Sequence, residues 1–413
     1  MPEQMVKMIN TFVEYMPDVD ILLNENDECR LVLPWTDKQI LLARELQSRQ
    51  NPFQKYANTY PKTNWLGTTS PTLSDRSLGA VKTNKTNFVE LSVQPVWDFT
   101  IKGCPPTSPA GTYLLSGPHL QSVSAAGHTV SSVMRSTRYV SSYSAAADIC
   151  SQPDLQYMSG FFMAPAAFKG THLAVPIFSQ SRIEPYNDIL APSPWYYSGR
   201  ARYEPEKDLD WEKRYDTFFW RGATTNGVAI HGGWRYHLRE RFLKVANRLR
   251  GKVDVGFTEI ARCRGEDCRE ETEEFPLKQN VQFEVFFKHK YLPDIDGAAF
   301  SGRWIAFLKS KGLPFKLALF REWFDSRIVA WRHFVPLDVR LRERDFKAVV
   351  EWFMAPENSA WSKKIADWGS EWALQTLRHE DAEVYMFRLL LEYARVMNDD
   401  RDNLGFVLSD VKD

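Results

Sequence analysis

Met5, Met8, Ile9, Phe12, Val13 and Met16 fall at helical spacing and predict a helix over the first sixteen residues, ended by Pro17. Asp20-Ile21-Leu22-Leu23-Asn24 then reads as a short buried strand. The polar cluster Glu25-Asn26-Asp27-Glu28 lies just past its C-terminal end, where ligands and reacting groups collect in open α/β sheets. Thr36 with Gln39 three residues on resembles a capping box that opens a helix through Leu46.

From about residue 50 to 200 the periodicity is lost. Ser, Thr, Pro, Gly and Tyr dominate, with Val175-Pro176-Ile177-Phe178 as one short strand. A loop of that length is improbable inside a compact domain, so short helices, extended segments and functional loops are expected, suited to acceptor recognition. Order returns near Leu209. Strands are predicted at Thr217-Phe218-Phe219-Trp220, Val253–Phe257 and Leu313–Leu317. A basic helix is predicted from Trp234 to Leu249 on the stripe Leu238, Phe242, Val245 and Leu249. Phe283–Phe287 opens a helix or strand leading to Tyr291, and Ser301 begins a helix with Trp304, Ile305 and Leu308 inward. Helices over 341–354, 359–378 and 380–397 complete the chain. Strand–loop–helix units in this order indicate a parallel sheet with helices on both faces.

Composition narrows the function classes. The 413 residues exceed one ordinary core, and 44% hydrophobic with 25% charged usage is globular. Fifty-two basic against fifty-two acidic residues leave no net charge, which argues against nucleic acid as a partner and makes any anion site local. No apolar run reaches the length of a membrane span, and Met1 is not followed by a signal peptide. Five cysteines are too few for a disulfide scaffold and lack metal-ligand spacing. Cys263 and Cys268 either close a small loop or remain reduced. Asn84-Lys85-Thr86 is a glycosylation sequon.

Three stretches carry candidate chemistry. In Asp294-Ile295-Asp296-Gly297-Ala298-Ala299-Phe300-Ser301-Gly302-Arg303, a strand end passes through small residues into Ser and Arg at a helix start, a pattern that cradles an anion. The alternative is a capped helix whose Arg pairs with a nearby Asp. Asp294 and Asp296 invite a metal, but Gly297 and Arg303 offer a metal-free solution, and no metal is expected; Asp296 would hold a ribose hydroxyl or the loop backbone. Arg221-Gly222-Ala223-Thr224-Thr225, with Arg235 and Arg239 in the following helix, is a second anion candidate that lacks the ending of a P-loop. A solvated face is the alternative account of Arg235, Arg239 and Arg241, and the better one for at least one of them. Asp27 is the third feature, a carboxylate at a strand end fit to deprotonate a hydroxyl, against a default role in the turn.

Together these stretches resemble glycosyltransferase family 90, which includes capsule-associated fungal xylosyltransferases and animal protein O-glucosyl- and xylosyltransferases. The resemblance runs through Pro17-Asp18-Val19-Asp20-Ile21-Leu22-Leu23-Asn24 to Asp27, Phe219-Trp220-Arg221-Gly222-Ala223-Thr224, and Lys290-Tyr291-Leu292-Pro293-Asp294-Ile295-Asp296-Gly297 to Ser301 and Arg303. It continues in Phe320-Arg321-Glu322-Trp323-Phe324 and Trp331-Arg332-His333-Phe334. Val96-Trp97-Asp98-Phe99 and Asp188-Ile189-Leu190-Ala191-Pro192 look like the fungal branch.

The resemblance implies an α/β fold of two Rossmann-like domains facing a cleft (the GT-B arrangement): 1–205 for acceptor and base, 206–385 for the nucleotide sugar, then a C-terminal helix and tail over 386–413. It implies inverting transfer of xylose or glucose from a UDP-sugar to a hydroxyl of a glycan or glycoprotein, with no further cofactor. Asp27 would be the base, and Arg221, Gly222, Thr224, Arg239, Asp296, Gly297, Ser301 and Arg303 the donor site, with Trp195 and Tyr196 as candidate acceptor-stacking rings. The rival expectation is a non-catalytic nucleotide-sugar or glycan-binding protein on the same scaffold. Family members act in the secretory pathway, here the endoplasmic reticulum or Golgi lumen. With no leader, anchor or retention signal to be read, the expectation is a truncated lumenal domain or an incomplete start, with a cytosolic enzyme as the third option. Glu28-Cys29 stands where animal members carry Tyr-Pro, so protein O-glucosylation is not assumed.

Overall fold

A computed structural model describes residues 2–48, 88–90, 96–116 and 139–397. The sequon at Asn84 and the tail after 397 lie outside them. The chain is a mixed α/β protein with two sheets of parallel strands and a separate two-stranded antiparallel pair.

The first parallel sheet is made of fragments. β1 (Leu22–Leu23) pairs with β4 (Ile177–Ser179), which pairs with β5 (Ile189–Leu190), while β2 (Val89–Glu90) and β3 (Lys169–Gly170) form the antiparallel pair. The helix Pro2–Asn10 and the short turn Val13–Tyr15 occupy the predicted first helix. Met5, Met8 and Phe12 are buried against Phe178 and the C-terminal helix His379–Met397, whose Phe387 and Tyr393 reach Phe12 and Phe178. The last helix therefore closes the core of the first sheet. The next helix begins at Trp35, with Lys38 N–H bonded to the Pro34 carbonyl, so Thr36 lies inside the first turn rather than capping it.

The second sheet is continuous. β6 (Tyr215–Ala223), β7 (Val253–Glu259), β8 (His289–Ile295), β9 (Leu313–Leu317) and β10 (Val335–Pro336) lie in the order β10-β9-β8-β6-β7, all parallel. β9 is buried along its whole length, as a strand covered on both faces should be. The helices Leu238–Ala246, Glu343–Met354 and Ser359–Thr376 cover it. The predicted helix 234–249 breaks at His237 into a short turn and Leu238–Ala246, and Phe283–Lys288 is a 3-10 helix, the helical of the two forms expected there. The helix expected from Ser301 starts at Trp304. One apolar cluster, from Cys29 and Trp97 through Trp220 and Phe315 to Ala366, runs through both halves of the chain.

Cys263 and Cys268 are disulfide-bonded, and a second bond not anticipated from spacing joins Cys104 to Cys150; Cys29 is free and buried. Among the described residues no helix is long and apolar enough to cross a membrane.

Candidate active site

β6 and β8 end side by side, and between them the strand order reverses: the chain passes from β6 outward to β7, then returns to β8 and proceeds the other way. Loops leave such a switch point in opposite directions, so a crevice opens at the strands' carboxyl ends. Here it is a cavity of about 1040 Å³. Arg221 and Gly222 at the end of β6 line it together with Gly297, Ser301 and Arg303 after β8, and Asp27 of the first sheet lines it as well. Two segments far apart in sequence thus share one crevice.

The arginines differ in what they have left to give. Arg239, from the helix after β6, donates from Nε to the Asp296 carbonyl (2.9 Å), from Nη1 to the Ala223 carbonyl (2.8 Å) and Thr225 Oγ1 (2.7 Å), and from Nη2 to the Ile295 carbonyl (3.1 Å). It straps the ends of β6 and β8 together. Burial, aided by the like charge of Arg303, lowers its pKa to about 9, so it stays charged at neutral pH. Arg303 donates from Nη1 to the Arg221 carbonyl (2.7 Å) and from Nε towards Ser301 Oγ (3.4 Å), while its buried Nη2 has no partner. Arg221 gives Nη1 to the Trp220 and Asp254 carbonyls and Nη2 to Asp254 Oδ2 (2.7 Å); its Nε is buried and unpartnered. Two guanidinium groups at the crevice thus retain buried donors for an anion.

Behind them sits a dry polar relay. Ser301 Oγ donates to Asp294 Oδ1 (2.5 Å), and Lys316 Nζ pairs with Asp294 Oδ2 (2.8 Å), all three residues buried. Gly302 allows this loop to pass under Trp195, whose indole would lie 2.0 Å from any Cβ there. Of the expected site residues, Arg221, Gly222, Arg239, Gly297, Ser301, Arg303 and Asp27 line the cavity; Thr224 and Asp296 do not. Thr224 Oγ1 is spent on Ala261, donating to its carbonyl (2.9 Å) and accepting its N–H (2.8 Å), and Thr225 takes the place on the wall. Asp296 Oδ2 accepts Leu319 and Phe320 N–H (2.7 and 3.1 Å), so this carboxyl holds the loop backbone, the second of the two roles foreseen for it. Burial raises its pKa to about 7. Trp195 faces the cavity; Tyr196 does not, its hydroxyl donating to Glu322 (2.6 Å). Of the three arginines, at least one of which is expected on a solvated face, Arg235 lies there, paired with Glu270; Arg241 turns inward to the Val339 carbonyl.

Asp27 sits in a loop fixed from below. Asn24 donates to the Glu28 carbonyl (2.7 Å) and to Ser179 Oγ (3.0 Å), and accepts Asn26 N–H (3.1 Å) and Arg30 Nε (2.8 Å). Asp188, fully buried, accepts Arg30 N–H (2.9 Å), Leu31 N–H (2.8 Å) and Ser179 Oγ (2.5 Å). The Asp27 side chain is half-buried, and desolvation raises its pKa against the pull of Arg262 across the crevice. Asp188 and Arg262 were not identified as site residues from the sequence: the first stood inside a recognised motif with no role attached, and the second precedes a cysteine with no local signal.

The description "Glycosyl transferase family 90" matches residues 163–402, more than half of the chain. O-glucosyltransferase rumi of Drosophila melanogaster is 24% identical over 241 residues, covering 54% of this chain and 55% of that protein. Its homolog in Aedes aegypti is 24% identical over 243 residues, with 54% and 56% covered. Protein O-glucosyltransferase 1 of Rattus norvegicus is 23% identical over 266 residues, with 60% and 64% covered. The chain thus spans between half and two thirds of the length of these curated relatives. The extent of the family match places the chain in glycosyltransferase family 90.

Proposed function

We propose that the chain is an inverting, UDP-sugar-dependent glycosyltransferase that moves glucose or xylose to a hydroxyl of a glycan or glycoprotein. One observation carries this: a single cavity has Asp27 on one wall and Arg221 and Arg303, each with a buried unpartnered donor, on another. In this reading 1–205 and 206–385 act as acceptor and donor halves facing a cleft. Phe283, Phe286 and Phe287, with Asn280 and Gln282 beside them, form the part of the wall that suits a flat base.

Asp27 takes the proton of the acceptor hydroxyl. The oxygen attacks the anomeric carbon as the bond to the β-phosphate oxygen breaks on the opposite face, and UDP leaves with the electron pair. Arg303 and Arg221 meet the charge that grows on the diphosphate, a type of preorganised contact worth a few kcal/mol in a transition state. Ser301 orients Arg303 through its own bond to Asp294. A Cβ at Gly222 would lie 2.6 Å from the buried Trp220 indole and one at Gly297 3.1 Å from Arg239 Nη2, so both glycines let the backbone sit close to the residues behind it. Arg239 supports rather than grips, its nitrogens being spent mostly on backbone. Two disulfides suit an oxidising lumen such as that of the secretory pathway.

The test is Asp27→Asn. Release of UDP from UDP-glucose and UDP-xylose should fall by roughly 10²–10⁴ while UDP titration is unchanged, since a general base supplies about that factor and does not bind the leaving group. Near-normal turnover would remove Asp27 from the chemistry.

A further inference from the structure

β7 ends at Glu259, and the next nine residues hold the backbone of Arg262, whose side chain is exposed. Arg262 has a left-handed backbone, φ 56°, unfavourable for a side chain of its kind. Neighbours on both sides hold it there. Ala261 is bonded twice to Thr224; Ala229 N–H donates to the Arg262 carbonyl (2.8 Å); Arg264 N–H donates back to the Ala229 carbonyl (3.1 Å). The Cys263–Cys268 disulfide then closes the loop immediately beyond. A strained residue pinned by a crosslink and paired backbone points to a task for its side chain.

That side chain lines the same cavity as Asp27. Its Nη1 makes a weak contact with the Thr225 carbonyl (3.3 Å), so the guanidinium is not consumed as that of Arg239 is. The charged groups that line the cavity with Asp27 are Arg200, Arg202, Glu204, Lys207, Arg221, Arg239, Arg262, Glu284 and Arg303, with Glu28 and Arg30 beside Asp27 on its own loop. β4 presents Ser179 and, just beyond it, Gln180 and Ser181, which are uncharged. Of these groups Arg262 is the cation whose field acts on both Asp27 and Glu28.

We propose that Arg262 is a positioning residue for sugar transfer, held across the crevice by the Cys263–Cys268 loop so that its guanidinium keeps the Asp27 carboxylate ionised and ready to accept the acceptor's proton. This rests on Asp27 being the base. Burial alone favours the neutral carboxyl, which cannot take a proton; a cation lining the same cavity offsets part of that effect without hydrogen bonding to the oxygens that must receive the proton.

The experiment compares Arg262→Asn, Arg262→Lys and the double variant Cys263→Ser/Cys268→Ser with the parent. Asn removes the charge yet tolerates a left-handed backbone. Sugar transfer from UDP-glucose and UDP-xylose to water is followed as UDP release against pH, beside UDP titration. In Arg262→Asn the acid limb of kcat/KM should move up by on the order of one pH unit, the scale of one nearby opposite charge. Lys should restore it, and the double serine variant should move it part way; Cys104→Ser/Cys150→Ser should leave it in place. UDP affinity should stay within about twofold in every variant, because a cation acting on the base's carboxyl does not touch the diphosphate. An unmoved limb in Arg262→Asn overturns the proposal, and so does a loss of UDP affinity of about tenfold, equivalent to roughly one charge-assisted hydrogen bond, which would make Arg262 a donor ligand. If Asp27→Asn itself remains active, the proposed function fails; if Asp27→Asn is dead and the Arg262→Asn limb is unmoved, only the role of Arg262 fails.

Discussion

The two walls of the crevice are built by opposite means. On the donor side, β6, β8 and β9 run for nine, seven and five residues, and their carboxyl ends are tied by Arg239 and by the buried Asp294–Lys316 pair. On the Asp27 side the neighbouring strands are two or three residues long, and the loop is held by two side chains, Asn24 and Asp188, each accepting or donating several bonds. A wall made of sheet spreads its stability over many contacts. A wall made of polar clamps concentrates it, so single substitutions there should disturb placement more than fold.

The largest effect is expected where the donor wall is itself concentrated. Lys316→Ala leaves Asp294 charged and buried with its nearest cation removed, a change that typically costs about 3–5 kcal/mol, and thermal or denaturant unfolding should register it as global loss of stability. Next comes Asp188→Ala, which strands the buried N–H groups of Arg30 and Leu31 and should cost about 3 kcal/mol at roughly 1–3 per group. Its signature is asymmetric: transfer falls at least about tenfold, as misplacing a reacting group by an ångström can cost more than that, while UDP titration is unchanged. Equal loss of both would show that the walls are not independent. Arg303→Ala should do the reverse. Removing one charge-assisted contact weakens UDP binding by about ten- to a hundredfold, since such bonds are worth roughly 1.5–3 kcal/mol, with little change in melting temperature; unchanged UDP affinity would take Arg303 out of the donor site.

The same contrast explains what could be read from the sequence. Phe218-Phe219-Trp220 is an apolar run, Val253–Phe257 and Leu313–Leu317 are mostly apolar, and the helix 359–378 has a long stripe, so the second sheet and part of its cover are legible in the sequence. A two-residue strand such as β5 has no period to detect. Thr224 shows the limit at one residue's scale. The β6–β7 register shifts between Gly222 and Ala223, and a bulge there turns the following side chains, so Thr224 goes inward and Thr225 reaches the cavity. Alternation cannot be carried across such a point. Motif recognition also mixed two kinds of residue: Arg303 lines the crevice, whereas Arg321 lies away from it, donating to the Tyr143 carbonyl and packing on its ring, and Trp331 donates to the Val140 carbonyl.

The smallest predicted effect lies behind the donor wall and separates stability from catalysis. Glu240 and Glu271, on the helices Leu238–Ala246 and Glu266–Glu274, are both fully buried, and their carboxyl oxygens have no partner beyond a proton shared between the two. Desolvation pushes both pKa values up, Glu240 further because Glu271 adds a like charge, and Glu271 to about 7 from an ordinary 4.5. The folded chain therefore holds protons that the unfolded chain releases. Stability from Glu271 is complete below pH 4.5 and is lost as pH rises through about 7. Buried His237, His172 and His289, each lowered to about 4 by desolvation, act in the opposite direction below their ordinary 6.5. The total pH profile mixes the two, so the informative quantity is the difference between parent and Glu271→Gln. The variant should match the parent near pH 5, gain melting temperature relative to it by pH 8, and bind UDP as the parent does. A constant difference across that range would mean that Glu271 is already ionised in the fold, and that its burial is offset by a cation rather than by a proton.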